Sequence, residues 1–487
     1  MARVELNFAD GFYVSQTPPL IDKRVVNCYP VIPQADAASK RALLGTPGIG
    51  DFSDLGSGNS RGVIVFNTGI PYRVIGNSLV SVSSTGVITD HGRISGSSDV
   101  SMDSNGINIA IQDPRGDSYF FTPSTGVLEL NNGSVFNSFG QAETVTFKDG
   151  FYFYTTKTIF FSSSPKTQND GKDFNALDFA DAEISPDRIT AGHNNHNQLY
   201  IFGKETGEVF QTITTSGFPV QRIAGALIQK GCTAPNSIID FDNSFLFIGG
   251  GAGEKPAIWM ARGSSATKLS TSSIDQLIHK NTDADIGLAR AFSYAENGNY
   301  FAVFTVGDHT FVYDAATSAL SGQPEWHERQ TGVTDGNGFQ PWRAIHGVSA
   351  YGSIQVADDR SGKIGVLSSG IKTEYGEKIE RFFTTKPFIN QGDQVFSHEI
   401  EIFMQTGVGD ETTPDPKIRM DYSDDGGRKF SSEIPKSMGA IGRYKDRVRW
   451  SRMGSFPMTR MLRFKMSDPV DFNVYSLFAN AETVTSG

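Results

Sequence analysis

Cysteine is nearly absent: Cys28 and Cys232 are the only two in 487 residues. That excludes a disulfide-dense secreted scaffold and a cysteine-held metal cluster, and predicts folding in a reducing cytoplasm. No apolar run approaches the ~20 residues of a membrane span, and the first ten residues lack the apolar core of a signal peptide, so neither insertion nor export by that route is expected. Long amphipathic helices are missing as well. So is a basic excess, because the net charge is −10; a general grip on duplex phosphate is not expected, although an acidic protein can surround DNA without holding it. What is plentiful is Gly (52), Phe (36) and Tyr (15). Many short strands and tight turns require this composition, and the class it predicts is all-β.

Residues 292–314 give that class a shape. Phe292 and Tyr294 alternate before Asn297-Gly298, an apolar run follows to Val306, and Gly307-Asp308 separates it from a third run ending at Tyr313. Asn-Gly and Gly-Asp supply the positive φ of tight hairpins, so the stretch reads as an antiparallel meander. Aromatic openings at 151–153, 199–202 and 245–248 repeat roughly every 45–55 residues, the period of a four-stranded unit repeated around a ring. The prediction is a β-propeller of six or seven blades over residues 56–384, with possible units opening near Val63, Val100, Val145, Ile189, Ser237, Ala291 and Arg343. The polar run 166–172 is a blade-edge loop, and 272–280 resembles a short helix with Ser273 or Asp275 as N-cap. Residues 1–55, rich in Pro (Pro18, Pro19, Pro30, Pro33, Pro47) with a helix-like 35–44, are expected to form an extended arm. A strand from this arm joining the last blade would close the ring. Alternation at 399–404, 417–422 and 463–470 marks a second unit over 385–487, a β-sandwich.

The sharpest local signature is Ser423, Asp425, Gly427 and Phe430, which fit an Asp-box: the carboxylate accepts backbone N–H groups inside a turn, glycine takes the strained dihedral, and the aromatic ring tucks beneath. This is a structural turn. A calcium loop would need its bidentate Glu where Ser432 stands. His193 and His196 flank a turn without a third ligand, Cys232 lacks a base partner, and the glycine run 249–253 is not followed by the Lys of a phosphate loop. Carboxylate spacing singles out no acid–nucleophile pair. Catalytic, cofactor and metal residues are therefore all predicted as none. Arg443, Lys445, Arg447 and Arg449 share one parity, with Tyr444, Val448 and Trp450 on the other; on a strand the four cations would line one face. That strip is either the guarded edge of a sheet or a contact face for an acidic neighbour, with DNA a weaker choice. Arg452, Arg460, Arg463 and Lys465 extend the basic excess.

Several segments in one order resemble the tail-hub, or packaged-DNA stabilisation, proteins of short-tailed bacteriophages: Val26-Asn27 to Pro30 with Pro47-Gly48-Ile49; Gln229-Lys230-Gly231 before 245–248; Val312 to Ala315 leading to Pro324-Glu325-Trp326 and Thr331-Gly332; and Val448 to Gly454 with Leu462 to Lys465. The longer polar loops at Lys166 and 410–416 depart from that pattern. The resemblance implies a structural virion protein and no enzyme. It would form a homohexameric ring that docks below the head-to-tail adaptor or portal complex, continues the DNA channel without sequence-specific binding, carries tail-needle or tailspike-type proteins and helps retain packaged DNA. Its place would be the virion tail, after assembly in the bacterial cytoplasm. An alternative from another class is a glycan-binding or sialidase-like propeller, suggested by the single Asp-box and the aromatic loop 339–342; a third is a generic intracellular propeller scaffold. Oligomeric state separates them, since only the hub requires a ring of copies.

Overall fold

A computed structural model of the chain describes residues 2–9, 11–14, 22–33, 39–182, 187–213, 217–333, 340–389, 394–456 and 459–484. Among these, seven sheets follow one another around an axis: residues 60–93 (blade 1), 101–130 (blade 2), 144–181 (blade 3), 189–228 (blade 4), 231–268 (blade 5), 290–329 (blade 6) and 344–368 (blade 7). Six are built from consecutive strands, and the seventh is composite. Its fourth strand is Gly48–Asp54, which pairs antiparallel with Lys363–Ser368 and so joins an early segment to the last blade, and the two-residue strands Thr373–Glu374 and Glu377–Lys378 follow beyond it. The strands Ser60–Val65, Ser101–Ser104, Thr144–Lys148, Ile189–Asn195, Ile239–Phe241, Arg290–Glu296 and Ala344–Ala350 lie innermost, where the seven expected openings fall. The meander of blade 6 turns where the sequence requires: Asn297 and Gly298 both take positive φ (51° and 80°) between the paired Glu296 and Asn299, the geometry of a type I′ hairpin.

Burial explains why the blades stack. Middle strands such as Ser244–Gly250 are buried along their whole length, because each has a neighbouring blade on both sides. Outer strands such as Phe174–Asp181 are largely exposed. The apolar clusters lie between blades: Tyr72 and Phe121 join 1 to 2, Phe120 and Tyr154 join 2 to 3, Phe153 and Ile201 join 3 to 4, and Phe202 and Phe245 join 4 to 5. Phe304 and Leu246 join 5 to 6, and Phe301 and Val356 join 6 to 7. Between blades 7 and 1 the cluster shrinks to Ile75, Val80, Val82 and Ile364. Polar contacts reinforce this seam. Ser60 Oγ bonds His346 Nδ1 at 3.0 Å, and the buried Arg73 donates to the His346 carbonyl at 3.2 Å.

The sandwich packs two sheets around Ile400, Ile402, Met420, Val448, Trp450, Leu462, Phe464 and Leu477. One sheet runs from Val448–Ser451 through Gln394–Met404 and Asn473–Val484 to Ala42–Gly45 and Cys28–Val31. The other is continuous with blade 6. Val25–Val26 pairs parallel with Glu325–Arg329 on one side and antiparallel with Arg381–Thr384 on the other, so hydrogen bonds run unbroken from propeller to sandwich. Beside it Asn27, buried and at φ 53°, donates from Nδ2 to the carbonyls of Gln330 (3.0 Å) and Glu380 (2.8 Å) and accepts from Gln330 N–H (3.1 Å).

Three local expectations are corrected. Of the helix-like 35–44, residues 35–38 lie outside the described ones and Ala42–Gly45 is a strand, because alternation sends Leu43 into the sandwich core and Leu44 against the cluster between blades 6 and 7. The helix Ser272–Ile278 is preceded by Thr271 rather than capped by Ser273 or Asp275; Asp275 instead accepts from Ser270 Oγ at 2.6 Å inside the fold. Phe339 lies outside the described residues. Trp342 is buried, donating to Glu374 at 2.7 Å, and offers no exposed sugar platform.

Candidate functional site

The propeller axis, where many propellers keep a ligand, is closed at one end. Arg290, the first residue of the inner strand of blade 6, forks onto Asp99 in the connection between blades 1 and 2, with Nη2–Oδ1 at 3.0 Å. Its Nη1 reaches Asp359 of blade 7 at 2.8 Å, and Asn236 of blade 5 donates to Asp99 at 3.4 Å. Segments of blades 5, 6 and 7 and the connection between blades 1 and 2 thus converge on one ion pair. Burial works against the Arg290 charge, but the hydrogen bonds and field of Asp99 and Asp359 hold its pKa above the ordinary value. A bidentate pair of this kind fixes position strongly. No local pattern announces it, because the partners stand 191 residues apart.

Farther along the axis, His193 Nε2 meets Asp240 of blade 5 at 3.1 Å, and Asn195 donates to the same carboxylate at 2.9 Å. Both link one blade to the next. The pair His193 and His196 therefore serves a hairpin and its neighbour. Among the described residues no group of three or more His, Cys, Asp or Glu side chains is placed to hold a metal ion, and no helix is long and apolar enough to cross a membrane. Cys28 and Cys232 are buried, and burial pushes both thiols up to about 12.

On the sandwich, the strand Lys417–Ser423 ends in the box. Ser423 Oγ donates to Asp425 Oδ1 (2.7 Å) and accepts from Gly427 N–H (2.9 Å), while Asp425 Oδ1 accepts from the N–H groups of Arg428 and Lys429, both at 3.0 Å. The Lys429 N–H and the Ser423 hydroxyl together hold the Asp425 carboxyl below the usual range. Gly427 takes φ 90°, and the Arg463 guanidinium lies 3.6 Å above the Phe430 ring. This arrangement holds a turn and leaves no free carboxylate aimed at a ligand.

The strip Arg443, Lys445, Arg447 and Arg449 does not lie on one strand. The strand is Val448–Ser451, with Val448 and Trp450 inward and Arg449 outward as parity requires. Residues 440–447 form a turn instead, because Gly439 and Gly442 take positive φ and Arg443 folds back onto Asp446 at 3.0 Å. Arg447 forks onto the buried Glu401 (2.7 Å from Nη2), which also takes Arg3 at 3.3 Å; Arg449 reaches Glu399 at 3.5 Å. Val448–Ser451 is an edge strand of its sheet. Around it, Arg460 is spent on Asp424, Arg463 on Asp421, and Lys465 on Glu433, so the basic excess is largely neutralised at short range. Among the described residues Lys445 and Arg452 are exposed without an ion pair, and Lys445 stands at a tip with the exposed Ile441 and Tyr444. Its apolar members went unread because the parity argument assigned Tyr444 to a core face.

A cleft of about 570 Å³ opens at the outer rim of blade 3, lined by Asn131, Ser134, Phe136, Lys172, Phe174 and Asp178. Its cation Lys172 is held by Glu129 at 2.6 Å.

Family models for bacteriophage P22 Gp10 match the chain twice in succession, the β-propeller over residues 4–372 and the β-sandwich over 380–482. The tail hub protein gp10 of Salmonella phage P22 is 24% identical over 439 residues, which cover 86% of each chain. Among solved structures, the N-terminal domain of Nup159 has a TM-score of 0.39 at 9% identity, covering 69% of this chain and 97% of its own. The extracellular domain of the putative hybrid two-component system BT4673 from B. thetaiotaomicron has a TM-score of 0.43 at 8% identity, covering 74% of this chain and 45% of its own.

Proposed function

The chain belongs to the bacteriophage P22 Gp10 family, over its propeller and its sandwich alike, and on that premise we propose that it is the hub of a short phage tail. A structural part of the virion tail is what this membership makes it. Beyond that, copies of the chain form a hexameric ring below the head-to-tail adaptor, prolong the DNA channel, seat needle or tailspike-type proteins and keep the packaged genome in. The observation that carries the reading is the two-module match in one order, together with a fold whose modules share an unbroken sheet.

The closed axis adds a constraint. DNA cannot thread the propeller past Arg290 and Asp99, so the channel lies on the axis of the assembly, between copies. A net charge of −10 suits a lumen in which phosphates slide. Residues 56–384 act as the wheel and 385–487 as the attached block, with 1–55 tying them. Of the strip Arg443, Lys445, Arg447 and Arg449 proposed for contact with another tail component, Lys445 at the tip is the cation left for that contact, since Arg443, Arg447 and Arg449 are paired with Asp446, Glu401 and Glu399; the box at Ser423, Asp425, Gly427 and Phe430 holds its own turn in shape.

Particles made without this chain test the reading. The expected result is heads that package DNA, lose it on standing and lack the distal tail, with the purified chain restoring retention. Particles that keep their DNA and infect without the chain would refute it.

A further inference from the structure

Two exposed surfaces on this molecule complement each other in character. The first is the tip of the sandwich. Backbone hydrogen bonds fix it: Gly407 N–H to Met438 O (3.1 Å), Gly442 N–H to Gly407 O (3.2 Å) and Ile441 N–H to Pro414 O (2.8 Å). Gly407 is required there, since a Cβ would come within 2.8 Å of the Arg443 backbone. From this rigid base Tyr444 (74% exposed) and Ile441 (54%) project beside the exposed Lys445. A pre-ordered aromatic flanked by cations is the composition of an interface anchor.

The second surface is the rim of blade 3. Its outer strand Phe174–Asp181 is an edge of the sheet and carries Leu177 (79% exposed) and Phe179 (44%); the Phe179 ring stands 6.2 Å from Phe139, and the Phe136 and Phe174 rings nearby stand 5.0 Å apart. Asp178 and Asp181 are interspersed with those apolar residues, and Asp178 lines the cleft. Burial raises the Asp178 carboxyl. An apolar patch edged by acids complements an apolar tip edged by bases.

Their placement decides the occupant. The sandwich is stitched to blade 6 through Val25–Val26 and adjoins blade 7 through Gly48–Asp54; in a ring of seven, blade 3 lies across the axis from that junction. The tip, in turn, precedes the edge strand Val448–Ser451, the side of its sheet farthest from Cys28–Val31 and the propeller. The tip thus belongs to the sheet edge away from Cys28–Val31, and the rim to the side of the ring across from the sandwich junction. We propose that the 440–446 tip of one copy docks on the blade 3 rim of the next, a head-to-tail contact that closes into a ring when the rotation fits. This rests on the hub reading above and names the partner for part of its basic strip: a second copy of this chain.

Cysteine pairing tests it in assembled particles. Both native thiols are buried, so Tyr444→Cys and Leu177→Cys, each at a highly exposed position, can be followed without interference. Tails built from the chain carrying both substitutions should give oxidised ladders of this chain alone, and tails carrying either single substitution should give none. In parallel, Lys445→Glu should weaken self-association about tenfold, and Asp178→Lys in the same chain should restore it. Three results would overturn this contact and leave the hub reading standing: particles that contain the chain but give no ladder, a Tyr444→Cys chain cross-linked to a different virion protein, or a charge swap without rescue. Absence of the chain from particles would overturn both.

Discussion

Replacing Asn27 should separate the two modules. Its side chain makes three buried hydrogen bonds, two from Nδ2 to the carbonyls of Gln330 and Glu380 and one accepted from Gln330 N–H. Its backbone adds an N–H bond to Glu328 O (2.9 Å) and takes two bonds from Thr46 (3.0 Å each) at its own carbonyl. Asn27→Ala removes the first three and leaves their partners buried, at about 1–3 kcal/mol for each group left unsatisfied. It also places Ala at φ 53°, costing about 1 kcal/mol more. Because neighbouring losses do not add fully, the expected total is about 4–6 kcal/mol. Asn27→Gly should recover the conformational part alone. Asn27→Asp should be at least as damaging at neutral pH, since a carboxylate oxygen would face two carbonyl oxygens, and it should improve in acid once the carboxyl can donate. Calorimetry reads the outcome: one unfolding transition for the native chain, and two for the Ala and Asp variants as propeller and sandwich melt apart. An Ala variant within about 1 kcal/mol of native with a single transition would show that the stitch does not couple the modules.

Acid should loosen the seam between blades 7 and 1: burial lowers the His346 pKa to about 4, so stability held above the unfolded pKa of about 6.5 is lost as pH falls toward about 4, by about 3 kcal/mol. His346→Asn, which tolerates the φ of 50° and keeps a partner for Ser60, should flatten that slope, and coincident slopes in denaturant titrations would refute the assignment. Arg290→Met leaves Asp99 without its guanidinium and should cost about 2–4 kcal/mol, part of it regained in Arg290→Lys; an unchanged denaturation midpoint would mean the axial pair holds nothing. Arg447→Glu with Arg449→Glu sets carboxylates against Glu401 and Glu399, so hydrogen exchange over 394–404 should accelerate, and undisturbed protection would show that these pairs do not secure the edge.

Local signals carried the wheel. Asn297-Gly298 can only turn sharply, and aromatic strands repeated at one spacing have nowhere to bury their rings except against each other, so the seven openings were legible from residues alone. The family resemblance was legible in the same way, from short ordered segments. Contacts between distant parts were not. Nothing near Arg290 announces Asp99, and nothing near Val25 announces both Glu328 and Phe382 as neighbours. Parity failed at 443–447 because it assumes an extended backbone, and Gly439 and Gly442 bend that backbone away. The aromatic run ending at Trp342 looked wet by composition, yet the Arg329 guanidinium 4.4 Å from its ring and Glu374 at its indole N–H draw it inside.

The strand Gly48–Asp54 has to wait. It leaves the ribosome early, but its partner Lys363–Ser368 follows some three hundred residues later, and the hairpin of 28–31 with 42–45 waits longer still for Asn473–Val484 to pair with its 42–45 strand. At about 5–20 residues per second the whole chain takes on the order of 25–100 s to synthesise. The propeller cannot be closed until about three quarters of the chain is made and the sandwich until nearly all of it is, so a nascent hub stays unfinished, and unfit to join other tail parts, until the late strands have paired with the early ones.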